Sequence, residues 1–179
     1  MGLIPRNRQI KDGGPASATP SLRGLGARLH AWAVAAARRP RLYAELGVLD
    51  GPQGRYEALT ACVILLLERI GPSSPAGQAV FDTYIADLDG ALREMGVGDL
   101  AMAKRMKGLG RNFYGRAKAW RAALAAYPDT APLDALIGRT LAPNASAAQR
   151  AALAHDLIGL RETLARSDPL DPAFPPLAR

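Results

Sequence analysis

The chain is poor in the residues that metal and redox chemistry use. Cys62 is the single cysteine among 179 residues, which excludes an internal disulfide and a cysteine-based zinc cluster. It lies in an apolar run and reads as a small buried hydrophobe rather than a reactive thiol. Histidine occurs twice, at His30 and His155, far apart and without a His-Glu-x-x-His pattern. No metal site and no cofactor is expected. Long apolar runs are also missing. The most apolar stretch, residues 61–67, is bounded by Glu57, Glu68 and Arg69, far short of the roughly 20 residues a bilayer crossing needs. Residues 31–37 follow Arg23 and Arg28 but are weakly apolar and run straight into Arg38 and Arg39. They suit a helix of the mature fold better than a signal peptide. No segment alternates with period two, and no repeat of solenoid length is present. Gly108, Gly110 and Gly115 fall inside a helical pattern, not between a strand and a helix, so they do not form a phosphate loop.

What is present is helical. Apolar residues make up 49% of the chain and charged residues 22%, a globular composition. The expected fold is all-α: a single compact domain of about six helices over residues 21–168. A basic leader at residues 1–20 is read as disordered, and residues 169–179, with four prolines, as an irregular tail. Helices are expected at 21–37, 53–70, 75–95, 99–127, 133–141 and 146–166, with a short helical turn at 41–46. The stretch 59–67 is apolar almost all round, so its helix should be central. Gly71-Pro72 stops it, Ser74-Pro75 starts the next, and Ser146 with Gln149 has capping-box spacing.

The richest stretch is 92–116. Phe81, Ile85, Leu88, Leu92 and Met95 recur in steps of four and three, the stripe of one helix face. Gly96-Val97-Gly98 breaks the pattern. Asp99 is placed to cap or charge a new helix, whose stripe is Met102, Met106, Leu109, Phe113, Ala117, Trp120 and Leu124. The three glycines within that helix cost about 1 kcal/mol each relative to alanine, and close packing of another helix is the expected compensation. Across the joint the polar residues change sign. Asp82, Asp89, Arg93 and Asp99 precede a set of cations that includes Lys104, Lys107, Arg111 and Arg116. Arg93 is expected to pair with Asp89, and the carboxylates to meet Lys104, Lys107 or Arg111 of the next helix. Lys104, Lys107, Arg111 and Lys118 approximate one stripe. It reads as a solvated face or as a docking surface for RNA or an anionic partner. The net charge of +7 and pI of about 10.1 favour phosphate-rich or acidic surfaces generally. The acidic residues lack a histidine or other activating group, so an enzyme is not expected.

The segment Leu92-Arg93-Glu94-Met95-Gly96-Val97-Gly98-Asp99-Leu100, followed by Lys104-Arg105-Met106-Lys107 and Phe113-Tyr114-Gly115-Arg116, resembles the signature of the ubiquinol–cytochrome c chaperone family. Gly54-Arg55-Tyr56-Glu57 and Phe81-Asp82 also match its pattern, and the resemblance spans roughly residues 25–165. It implies an assembly chaperone for the respiratory bc1 complex, with newly made or unassembled cytochrome b as client. In mitochondrial relatives it further implies action at the ribosome exit with a small partner protein, and the basic faces are expected to help the chain dock near the ribosome or an anionic membrane. The implied location is the bacterial cytoplasm, peripheral to the inner membrane, or the matrix side in a mitochondrion. Phe81, Leu92, Met95, Met102, Met106, Phe113 and Tyr114 are the candidate client-binding residues, since flexible methionines suit surfaces that accept varied partners. Asp82, Asp89, Arg93, Asp99, Lys104, Lys107, Arg111 and Arg116 are the candidate docking and ion-pairing residues. Relatives commonly carry a histidine in the apolar helix after the tetrapeptide, where this chain reads Leu59-Thr60-Ala61-Cys62-Val63. Two alternatives stay open. One is a basic RNA- or ribosome-binding module with no cytochrome b client. The other is a small-molecule or haem-binding enzyme with an all-helical pocket, for which His30, His155 or a methionine would be the axial ligands.

Overall fold

A computed structural model describes residues 21–171 and Phe174; the expected leader and most of the expected tail lie outside them. Among the described residues there are seven helices and no strand: α1 (Leu22–Ala37), α2 (Pro40–Ala44), α3 (Pro52–Ile70), α4 (Pro75–Glu94), α5 (Asp99–Ala125), α6 (Ala131–Arg139) and α7 (Ala147–Arg166). The fold is all-α, as expected. The count exceeds six because the helical turn near residue 41 is a five-residue helix opened by Pro40, whose fixed φ suits a first helical position.

The helix ends follow local chemistry. The Ser21 side chain accepts from the Gly24 amide at 3.1 Å, and that of Ser74 from Gly77 at 3.0 Å. Ser146 and Gln149 form both bonds of a capping box. Gly71 ends α3 at φ +84°, a conformation that L side chains rarely adopt.

α3 is the axis of the core. Every residue from Thr60 to Leu67 is buried, and the helix packs on α1, α4, α5 and α7. The Thr60 hydroxyl, buried among these apolar residues, is paired: Oγ1 donates to the Tyr56 carbonyl at 2.7 Å and accepts from the Tyr84 hydroxyl at 2.9 Å. Burial pushes the Tyr84 phenol well above its ordinary range, keeping it a neutral donor. α1 lies against α4, and α6 and α7 close the opposite side. Near the C-terminus, Phe174 stacks on Trp32 with centroids 5.7 Å apart, and Arg28 Nη2 donates to the Pro169 carbonyl at 3.0 Å.

Glycine marks where backbones approach. A Cβ on Gly26 would lie 2.5 Å from the Ala79 carbonyl oxygen, and one on Gly54 would lie 2.0 Å from that of Leu49. Gly108, Gly110 and Gly115 behave differently. A Cβ at any of them would meet nothing within 4 Å, so the expected close helix packing does not explain them. Gly26→Ala is therefore expected to lower stability by about 1–3 kcal/mol, because the α1 and α4 backbones would have to separate. Gly108→Ala is expected to raise it by up to about 1 kcal/mol through helix propensity. Urea midpoints check the pair, and shifts of the same sign would contradict it.

Candidate functional site

α4 and α5 fold back on each other about the glycine joint. The end of α4 is a Schellman motif: the Val97 amide bonds to the Leu92 carbonyl at 3.0 Å and that of Gly96 to Arg93 at 2.9 Å, with Gly96 at φ +81°. Gly98, not Asp99, is the N-cap of α5. Asp99 occupies the first helical position, where its charge favours the helix dipole. Arg93 ties the joint together, donating to Asp89 at 2.8 Å and to Asp99 at 2.7 Å. These exposed bonds also keep the guanidinium pKa raised.

Beside the joint lies a cleft of about 460 Å³ between the α4–α5 pair and the facing ends of α1 and α3. Its walls include Leu59, Leu88, Leu92 and Leu109, with Tyr56 and Arg116 among its polar lining. Met95, 61% exposed, stands at its lip. The volume falls within the range of small-ligand and side-chain pockets.

An ion pair supports the cleft. Glu57, 3% exposed, accepts from Arg116 Nε at 2.7 Å and from Arg116 Nη2, and from Gln53 Nε2 at 2.9 Å. The Arg116 guanidinium also sits 5.4 Å from the Tyr56 ring centroid, a cation–π contact. The hydrogen bonds to Glu57 raise the Arg116 pKa above its ordinary value. The two sequence segments Gly54-Arg55-Tyr56-Glu57 and Phe113-Tyr114-Gly115-Arg116 thus meet through their last residues, 59 positions apart.

The expected client-binding residues divide between two places. Leu92 and Met95 line the cleft. Phe81, Phe113 and Tyr114 form an aromatic cluster along the α4–α5 seam, with the Phe81–Phe113 centroids 5.1 Å apart and Phe81–Tyr114 6.0 Å. Phe113 is buried in it, while Tyr114 is exposed. Met102 is buried and Met106 half-buried; neither lines the cleft. Met102 and Phe113 are closed to any partner in this conformation.

The expected pairing of Arg93 with Asp89 is present, but the expected pairing of carboxylates with α5 cations is corrected: Asp82 accepts from Gln78 at 2.6 Å, and Asp89 is held within its own helix. Asp82 lines a second, more open groove of about 720 Å³ with Ala27, Ala79 and Ala86, between α1 and α4. Lys104, Lys107 and Arg111 are exposed and make no ion pair among the described residues. They lie on the side of α5 turned away from the core. Arg116 does form an ion pair, but its partner Glu57 was not among the candidates. Tyr56, Leu59, Leu88 and Leu109 were also missed as cleft residues. Leu88 and Leu109 belonged to the apolar stripes, but periodicity alone does not show which stripe positions stop short of the core.

His30 is buried on α1, with Nε2 3.8 Å from Asp87 of α4, whereas His155 is exposed on α7. No group of three or more His, Cys, Asp or Glu residues able to hold a metal occurs among the described residues. No described helix is long and apolar enough to cross a membrane.

Removing Arg116 strands a buried carboxylate. Arg116→Met is expected to cost about 3–5 kcal/mol, with much of the loss recovered in Glu57→Gln/Arg116→Met. Denaturant midpoints of the cycle test this, and additive losses would contradict it. His30 supplies a pH signature. Burial lowers its pKa below 6.5, opposed by Asp87. The unfolded chain thus takes up this proton first as pH falls, so stability drops through about pH 6.5 and levels off below the folded pKa. His30→Gln is expected to flatten that component of the urea-midpoint curve between about pH 7.5 and 5.5.

Two comparisons place this geometry among known proteins. The family model described as "Ubiquinol-cytochrome C chaperone" matches residues 44–169. The crystal structure of the Cbp3 homolog from Brucella abortus superposes with a TM-score of 0.72 at 36% sequence identity, covering 80% of this chain and 82% of that one. No curated protein matches. The matched region contains both segments joined by Glu57 and Arg116, together with the glycine joint, and the chain belongs to the ubiquinol-cytochrome C chaperone family.

Proposed function

We propose that this chain holds newly made cytochrome b while the bc1 complex assembles, and that the cleft beside the glycine joint receives an apolar segment of it. The observation that carries this reading is the cleft itself. Leucine walls open to the surface beside an exposed methionine, at the segment that most resembles the family signature. Unassembled membrane segments expose apolar surface that aggregates. A protein that binds such a segment lowers its free concentration by mass action, and needs no covalent chemistry to do so. The role is therefore holding rather than catalysis.

The lining suits such a client. Leu59, Leu88, Leu92 and Leu109 offer apolar contact, and Met95 adapts its shape at the lip. Arg38 and Asn112, also in the lining, supply polar groups for backbone or side chains at the end of the segment. The proposed place of action is the cytoplasmic side of the inner membrane, where the basic surface brings the chain to the ribosome or to anionic lipid.

A photoreactive residue at Met95 is expected to crosslink cytochrome b in living cells, and one at His155 on the exposed face of α7 is not. Met95→Asp is expected to weaken capture about tenfold, equivalent to roughly 1.4 kcal/mol, while leaving the circular dichroism unchanged. Depleting the protein should lower cytochrome b and bc1 activity but spare another respiratory complex. Normal cytochrome b after depletion would reject the reading.

A further inference from the structure

We propose that the outer face of α5 is a docking surface for an anionic lipid bilayer, separate from the cleft. At 100° per residue, Leu100, Lys104, Lys107, Arg111 and Lys118 fall within about 60° of one line along the helix, over a length of ~27 Å. All five are exposed. None of the four cations forms an ion pair among the described residues. The one acid of α5, Asp99, is occupied by Arg93. The row is therefore an uncompensated strip of positive charge.

Two features make the strip suited to a bilayer. The first is its relief. Gly108 and Gly115 flank the cations, and a Cβ on either would meet nothing within 4 Å. A planar array of headgroups can therefore approach the backbone between the lysines. The second is Leu100, whose side chain is fully exposed at the end of the strip. Nothing in the packing of α5 accounts for an aliphatic side chain there. A row of cations ending in an apolar tip matches the bilayer interface, where cations meet anionic headgroups and aliphatic groups enter the acyl boundary. Nucleic acid would use the charges but not the leucine.

The test is flotation of the full chain with phosphatidylcholine vesicles, with and without about one-third phosphatidylglycerol. The chain is expected to float with the anionic vesicles alone, and to be released at about 0.5 M salt. Each cation near such a surface contributes roughly fivefold to partitioning. Lys104→Gln/Lys107→Gln/Arg111→Gln is thus expected to lower partitioning by about 100-fold, and Leu100→Ala by roughly tenfold. Both variants keep residues 1–20, so the comparison isolates the strip, and circular dichroism checks the fold. Four outcomes would each overturn the proposal: no flotation at low salt, equal flotation with neutral vesicles, unchanged binding in the triple variant, or RNA binding that the triple variant abolishes without any vesicle binding. Vesicle binding needs no client, so its failure would leave the cytochrome b reading standing, and the converse also holds.

Discussion

Glu57 carries its charge almost completely out of water, and the structure can tolerate that only because Arg116 meets it with two parallel hydrogen bonds. A buried ion pair is weak evidence for net stability, because an apolar pair of the same shape often does as well. What it supplies here is angular and axial registration. It fixes where α5 lies along α3 and how α5 is rotated about its own axis. With Arg116 turned inward, Leu109 and Asn112 face the cleft with it. Lys104, Lys107, Arg111 and Lys118, about 120–180° away around the helix, are forced outward. This contact, acting with the buried apolar face of Met102, Phe113, Trp120 and Leu124, thus sets both the lining of the cleft and the exposure of the cationic strip.

The other end of the α4–α5 pair is held by weaker means. The Schellman bonds at Gly96 and the two exposed ion pairs of Arg93 close the joint without burying it. Exposed pairs of this kind contribute little and are screened by salt. Between this joint and Arg116, α5 carries Gly108, Gly110 and Gly115, none of which is required by a neighbour's approach. Each lowers helix stability relative to alanine. Local opening therefore costs less in this stretch than in the fully buried middle of α3. The wall of the cleft nearest the joint is its most adaptable part, as the proposed capture of an apolar segment would require.

Much of this was legible in the sequence, for identifiable reasons. The helix limits follow from short-range chemistry, such as Ser74 before Pro75, Ser146 with Gln149, and Gly71 after Ile70. The central position of α3 follows from its apolar circumference. The glycine joint and the inward stripes of α4 and α5 follow from spacing. The Glu57–Arg116 pair was not legible, because no local pattern links residues 59 positions apart. For the same reason the expected contact between α4 carboxylates and α5 cations fails, whereas the expected local pair of Arg93 with Asp89 forms. Charge alone says that a partner exists, and a residue four positions away on the same helix competes well with one on a neighbour. Met102 and Phe113 share the periodicity of Leu92 and Met95. Periodicity identifies an apolar face but not which of its positions the core fills and which remain open. Residues from other helices, such as Tyr56 and Leu59, decide that, and their placement depends on tertiary packing.

The division of α5 into two faces bears on how the proposed holding and the proposed docking would coexist. The cleft uses Leu109, Asn112 and Arg116, while the strip uses the opposite side of the same helix. Occupying one face therefore need not occlude the other, and a bilayer contacted along α5 would leave the cleft walls of α3 and α4 uncovered. At the glycine joint, exposed Met95, the C-cap of α4, and exposed Leu100 in the first turn of α5 lie five positions apart. An apolar segment leaving a membrane beside Leu100 would have a short path to Met95 and the leucines behind it. The rotation imposed by Glu57 and Arg116 makes that arrangement possible: turning α5 by half a circle would bury the lysines and present Leu109 to solvent.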